Sequence, residues 1–234
     1  EKMHLAKHLP LGELIYLDRE RCIQCARCVR FQNEVADDPV IALSQRGRSF
    51  EIITRSNPGF DSIFSGNTTD ICPVGALTTA DFRFGARPWE LKAVASICNH
   101  CPVGCNIVYN VRREVHTGGG VVIKRVMPRQ NEAVNEIWMC DKGRFAYHYL
   151  ESNQRLTHPL IRKDSQLQEA SWEEALELVS KRLIAYGAGL VTLVGGRLAN
   201  EDLFNLHNLT QTQGGQAVLY SHMAGGDLVA QVGV

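Results

Sequence analysis

Apolar residues recur at helical spacing only toward the end of the chain. Trp172, Ala175, Leu176, Val179, Leu183 and Tyr186 fall on one face of a 3.6-residue period. Ser171 and Glu174 stand where a capping box opens a helix, and Gly187 stands where a helix stops. The run Leu190–Val194 predicts a buried strand, and Gly195-Gly196 a tight turn. A second helix is expected from about Glu201 to Gln213, then a strand at Ala217–Tyr220. Strand–helix–strand order predicts a parallel α/β layer. Upstream the apolar runs are shorter. Leu14–Leu17 ends at Asp18, and a strand-like run, Ser49–Thr54, follows Gly47. Asn106–Arg112 has strand composition, and Gly118-Gly119-Gly120 before Val121–Val126 predicts a hairpin return. Asn57-Pro58-Gly59 and Ser65-Gly66-Asn67 are expected to turn. Asp141 is expected to cap a short helix running through Leu150.

These elements divide the chain into residues 1–90, 91–150 and 151–234, a mixed α+β arrangement ending in α/β. Of 234 residues, 44% are apolar and 21% charged, which places the chain among folded globular proteins. Lys plus Arg and Asp plus Glu both number 25, so no global basic field points to nucleic acid or a membrane surface. Apolar runs such as Leu14–Leu17 and Val40–Leu43 are too short to cross a bilayer, so direct membrane insertion is not expected. The first residue is Glu1, no signal segment follows, and Gly225–Val234 ends without a helix stop or polar tail. The expectation is a piece of a longer chain.

The eight cysteines change the picture. Cys22-x2-Cys25-x2-Cys28 is followed at a distance by Cys72-Pro73, and Cys98-x2-Cys101-x3-Cys105 by Cys140. Three thiolates on one tight loop plus one distant partner suit the corners of an iron–sulfur cubane. Two-cluster bacterial ferredoxins place a further cysteine four residues after the third; Gln32 stands there, so Cys72 is expected to close the first site. Pro102 stiffens the second loop, and Gly104 permits unusual backbone angles. Two four-cysteine zinc sites are the alternative, although zinc sites usually read as paired C-x2-C knuckles. Cysteines this close in sequence cannot all find relaxed disulfide partners. Arg21, Arg27 and Arg30 near one group, and Lys142 and Arg144 near the other, would raise reduction potentials.

Other features are weaker. His4 and His8 at i, i+4 read as solvated helix residues before a metal pair. His100 lies among cysteines that already fill a site. Gly195-Gly196 lacks both dinucleotide and P-loop signatures. Trp89, Trp138 and Trp172 are expected in core or rim packing. No nucleophile motif supports hydrolysis.

The segments Arg21–Phe31, Phe64–Asn67, Asp70–Leu77, Arg87–Glu90, Cys101–Cys105 and Asn135–Phe145 resemble the large iron–sulfur subunit of NADH:quinone oxidoreductase, respiratory complex I. The resemblance implies a ferredoxin-like [4Fe-4S] domain, a small β-rich [4Fe-4S] domain and the start of an α/β molybdopterin-oxidoreductase-like domain. It implies one [4Fe-4S] cluster on Cys22, Cys25, Cys28 and Cys72, and a second on Cys98, Cys101, Cys105 and Cys140, with Arg27, Arg30 and Lys142 tuning them. It implies electron transfer from the NADH/flavin site toward quinone, with no catalytic side chain here and no bound molybdopterin. Partners would be the other peripheral-arm subunits, including the flavin/NADH-binding one, on the cytoplasmic side of the bacterial inner membrane. A [2Fe-2S] cluster and another [4Fe-4S] cluster would precede residue 1. The alternative within redox chemistry is the iron–sulfur segment of a NAD-linked formate dehydrogenase or related molybdenum/tungsten enzyme.

Overall fold

Pairing of two three-residue strands, Ile15–Leu17 and Leu77–Thr79, founds the first core of the protein. The computed structural model describes residues 4–57, 59–115 and 119–220; Pro58 and Gly118 of the expected turns, and Gly225–Val234, lie outside them. The chain divides into two compact units. One is Glu1–Cys98 with Cys105–His148, and the other is Asn99–Gly104 with Tyr149–Val234.

In chain order the first unit holds β1 (Leu9–Pro10), β2 (Ile15–Leu17), α1 (Arg27–Glu34), β3 (Ile41–Ser44), β4 (Glu51–Thr54), α2 (Asn67–Ile71), β5 (Leu77–Thr79), β6 (Lys92–Ile97), β7 (Asn106–Arg113), β8 (Val121–Pro128) and α3 (Asp141–Phe145). Strands β1-β2-β5 and β6-β7-β8 form two antiparallel sheets, and β3-β4 form a hairpin. Ile15 and Leu17, facing Thr79 and Leu77 across the ladder, pack with Ile41, Ile52 and Phe60 into one core. A smaller core gathers Cys98, Ile107, Val126, Met139 and Tyr147.

The β2–β5 pairing positions the first cysteine group. Just past the ladder, Asp18 N donates to Ala76 O at 2.8 Å. The buried Asp18 carboxylate accepts from Glu20 N (3.0 Å) and Arg21 N (3.2 Å), turning the chain into the Cys22 loop. Two elements differ from expectation here. Cys28 sits in the first turn of α1 rather than on a loop with Cys22 and Cys25. Residues 4–8 are not helical: His4 Nδ1 contacts Glu20 Oε1 at 3.0 Å, and His8 stacks on Tyr16 at 4.1 Å.

The second unit holds β9 (Leu160–Lys163), β10 (Gln166–Glu169), α4 (Trp172–Tyr186), β11 (Val191–Gly195), α5 (Asn200–Thr212) and β12 (Gln216–Tyr220). Asp164 and Ser165 link β9 to β10 with φ of 49° and 67°, the positive pair that a two-residue hairpin demands. The expected capping box forms: Ser171 Oγ accepts from Glu174 N at 3.2 Å, and Ser171 N donates to Glu174 Oε2 at 3.3 Å. Strands β11 and β12 are parallel, as the alternation predicts, with buried Thr210 of α5 meeting Thr192 at 2.7 Å. The buried-strand expectation holds only for Val194, because Leu193 is 73% exposed on a two-stranded sheet. Trp89 and Trp172 are surface residues, 80% and 70% exposed, whereas Trp138 packs on Phe31 at 4.7 Å. Among the described residues no helix is long and apolar enough to cross a membrane.

Glu114, just beyond β7, accepts hydrogen bonds from Lys124 (3.0 Å) and Arg112 (2.7 Å), tying the β7–β8 hairpin together. Those bonds, Lys124 first, lower its pKa from 4.5 to about 2. A carboxylate depressed in the folded state stabilises above its unfolded pKa, and that contribution is lost as pH falls through the folded value. Acid titration followed by circular dichroism should therefore show stability falling between those two values, and Glu114→Gln should remove that part of the pH dependence.

Candidate metal centres

Cys22, Cys25, Cys28 and Cys72 all line one small pocket, walled by Leu17, Ile52 and Leu77 of the first core. Gln24 and Ala26 alternate with the cysteines at φ of 55° and 60°, left-handed conformations that non-glycine residues seldom take. Alternating turns of this kind aim successive peptide N–H groups into a concavity. The Gln24 peptide N–H favours the thiolate of Cys22, and that of Val29 the thiolate of Cys28. On the opposite wall Gly75 takes φ of 60°, so the chain doubles back and Ala76 N donates to Cys72 Sγ at 3.2 Å. Burial pushes the Cys22 thiol up and the Cys28 thiol to about 12, and repulsion from neighbouring thiolates, Cys25 and Cys72 included, adds to both. Such a site favours sulfur ligands ionised by a bound cation.

Cys98, Cys105 and Cys140 come together in the smaller core region. Cys98 N donates to Cys105 O at 2.8 Å where β6 and β7 close, and Cys140 precedes α3. The helix cap is Cys140, not Asp141: the Cys140 sulfur accepts from Gly143 N at 3.4 Å. A Cβ at Gly143 would stand 3.3 Å from Cys98 Sγ and 3.8 Å from Cys140 Sγ, so glycine keeps the backbone close to both sulfurs. Cys101 belongs to the second compact unit, where Gly104 N turns back to Cys101 O at 3.4 Å with Gly104 at φ of 63°. None of the eight cysteines is in a disulfide. Among the described residues no three His, Cys, Asp or Glu side chains are grouped tightly enough for a single metal ion. Soft sulfur donors suit iron–sulfur chemistry or zinc better than a hard cation.

Asp141 is released from capping because its carboxylate reaches the chain before α2. One oxygen accepts from Ser65 N (3.0 Å) and Ser65 Oγ (2.5 Å), and the other from Gly66 N (2.8 Å). Asn67 copies a strand: its amide donates to Met139 O at 2.8 Å and accepts from Met139 N at 3.2 Å. Buried Arg144 pairs with Asp70. Burial raises the Asp141 pKa against these hydrogen bonds. A Cβ on Gly66 would collide with the Arg144 side chain, so this approach requires glycine. The segments leading into Cys72 and out of Cys140 are thus clamped together. The sequence offered no rule for finding this clamp, although Ser65, Gly66, Asn67 and Asp141 all lie inside the strings that resemble complex I.

Three family models match in succession. Residues 12–78 match the ferredoxin-like domain of NADH-quinone oxidoreductase subunit 3. Residues 91–148 match the NADH-ubiquinone oxidoreductase NDSU1/NuoG-like 4Fe-4S domain, and residues 155–231 match molybdopterin oxidoreductase. The NADH-quinone oxidoreductase G subunit of Streptomyces coelicolor is 44% identical over 205 residues, 87% of this chain and 24% of its own length. The corresponding subunit 3 of Thermus thermophilus is 43% identical over 208 residues, 86% of this chain and 25% of its own. The G subunit of Mycobacterium bovis is 40% identical over 207 residues, 87% and 25% respectively. This chain belongs to the family of NADH-quinone oxidoreductase G subunits. It spans about a quarter of the length of these relatives. Its α+β organisation follows the order of those domains: ferredoxin-like, 4Fe-4S, then molybdopterin-oxidoreductase-like.

The three cations singled out for tuning differ in placement. Arg27 lines the first pocket. Arg30 is engaged by Glu34 on the same helix at 3.0 Å, so its charge is largely compensated. Lys142 is exposed on α3, two residues past Cys140.

Asp141→Ala strands two buried peptide N–H groups and a hydroxyl, which should cost about 2–4 kcal/mol. Urea unfolding should show that loss, and Ser65→Ala, which removes one hydroxyl donor, should cost about 1 kcal/mol.

Proposed function

We propose that the chain is a single-electron conduit in which Cys22, Cys25, Cys28 and Cys72 hold one [4Fe-4S] cluster and Cys98, Cys101, Cys105 and Cys140 hold a second. The observation that carries this reading is the pocket lined by the first four thiols, inside the stretch that matches a ferredoxin-like domain. The closeness of the Cys98 and Cys140 sulfurs to Gly143, with Cys105 packed against the same core, inside a 4Fe-4S domain match, supports the second site.

A bound cubane supplies reversible one-electron chemistry. The protein's part is to bind, dry and tune. Peptide N–H groups of Ala76 and Gly143 donate to sulfur and disperse thiolate charge, and those of Gln24 and Val29 favour the thiolates beside them. Leu17, Ile52 and Leu77 keep water from the first pocket. Arg27 and Lys142 add positive charge that favours the reduced state, and Arg30 adds less because Glu34 neutralises it. No side chain makes or breaks a covalent bond in the transfer.

In the whole protein the proposed activity is that of a subunit of NADH:quinone oxidoreductase. Electrons would come from NADH through a flavin-bearing partner subunit and pass toward quinone, on the cytoplasmic side of the bacterial inner membrane. The parent chain would carry a [2Fe-2S] and a further [4Fe-4S] cluster upstream. The molybdopterin-oxidoreductase-like section would serve structurally, without bound pterin. The relatives are subunits of NADH-quinone oxidoreductase, which favours this reading over a formate dehydrogenase.

Anaerobic reconstitution should give brown protein with about eight irons per chain, bleached by dithionite. Cys72→Ser should leave about four irons and remove one of the two reduced-state EPR signals. A colourless sample containing zinc, or Cys72→Ser with unchanged iron, would overturn the assignment.

A further inference from the structure

A groove of the first unit holds about 530 Å³ and none of the eight cysteines. Five arginines and three carboxylates line it. The carboxylates are already engaged: Asp70 by Arg144, Glu90 by Arg112, and Asp81 by the Tyr147 hydroxyl at 2.9 Å and His148 at 3.1 Å. Among the described residues none of Arg83, Arg87 and Arg125 is in a salt bridge, although Glu90 attracts Arg87 and Asp70 attracts Arg125 at longer range. Arg125 gives one N–H to Asn110 Oδ1 at 2.7 Å and lays its guanidinium 4.5 Å from the Phe82 ring centre. Burial lowers its pKa, Arg144 adds to that, and Asp70 opposes it. Arg83 bonds the Lys7 carbonyl at 3.1 Å, and its Nη1 is buried without a partner.

The rim of the groove has an unusual composition. Phe84 and Trp89 stand 74% and 80% exposed, with Arg83 4.9 Å and Arg87 6.0 Å from their ring centres. Solvent-facing aromatics paired with arginines are the residue types on which protein interfaces concentrate their binding energy. Cation–π contact holds each guanidinium over its ring without neutralising its charge. Three arginines outside salt bridges line this one groove, which offers a chain of carboxylates more than one cation to meet.

We propose that this groove docks an acidic segment of another protein, placing at least two carboxylates against Arg83, Arg87 and Arg125 and an apolar side chain against Phe84 and Trp89. The inference concerns an interaction surface and does not depend on how the cysteines are occupied. Charge complementarity selects the partner, so binding should weaken steeply with salt.

The test uses the iron-loaded 234-residue chain and fluorescein-labelled decaglutamate, read by anisotropy, with decalysine as control. Decaglutamate should bind and decalysine should not. Arg87→Ala combined with Trp89→Ala, both exposed positions, should weaken binding at least tenfold while iron content stays unchanged. Arg83→Ala with Arg125→Ala should weaken it further. Equal binding of the two peptides, no decaglutamate binding, or indifference to the Arg87/Trp89 change would overturn the proposal. Full competition by inorganic phosphate at the same concentration as the peptide would also overturn it, by assigning the groove to small anions. Unchanged iron in these variants separates failure here from failure of the cluster reading.

Discussion

The structure of the first unit depends on one buried carboxylate. Asp141 sits directly after a cysteine of the second group, yet its carboxylate accepts from Ser65 and Gly66, seven and six residues before the last cysteine of the first, and its N–H donates to Ile63 O at 2.7 Å. A buried charge is tolerated only when it is fully hydrogen-bonded, and here three donors surround it. Asn67 reinforces the contact by pairing with Met139 as a strand residue would. The clamp makes one body of two cysteine-bearing segments that are far apart in the sequence. Around it, the β2–β5 ladder and the β6–β7 closure set where the remaining cysteines emerge.

What the sequence makes legible is what local chemistry decides. The capping box at Ser171, the stop at Gly187, the parallel β11–β12 order and the three-plus-one cysteine spacing each depend on residues near one another or on a fixed ligand count. Hidden features needed partners 72 to 77 positions away, as with Asn67, Ser65 and Arg144. Capping at Asp141 was a sound local expectation, since aspartate is a strong N-cap. A tertiary demand overrode it: Ser65 and Gly66 took the carboxylate, and the sulfur of Cys140 capped the helix instead. Leu193 shows the converse, an apolar residue whose pattern reads as core although its sheet has only two strands.

The two cysteine groups are built differently for the same kind of ligand chemistry. The first puts its sulfurs beside a substantial aliphatic core and bends the backbone through Gln24, Ala26 and Gly75. The second is attached to a small sheet and depends on glycine at 143 for closeness to the sulfurs. The charge around them also differs, with Arg27 lining one pocket and Lys142 standing exposed beyond the other.

The left-handed turns at Gln24 and Ala26 have a consequence for how the molecule is made. Each is a conformation costing on the order of 1 kcal/mol or more, sustained only by an environment that over-determines it. The walls that enforce it, Leu17, Ile52 and Leu77, belong to the same aliphatic core that organises the surrounding strands. On the proposed cluster assignment, filling the pocket and consolidating that core are coupled, because the same side chains serve both. In a cell starved of iron, this polypeptide would present proteases with an unfinished domain rather than a finished one lacking its colour.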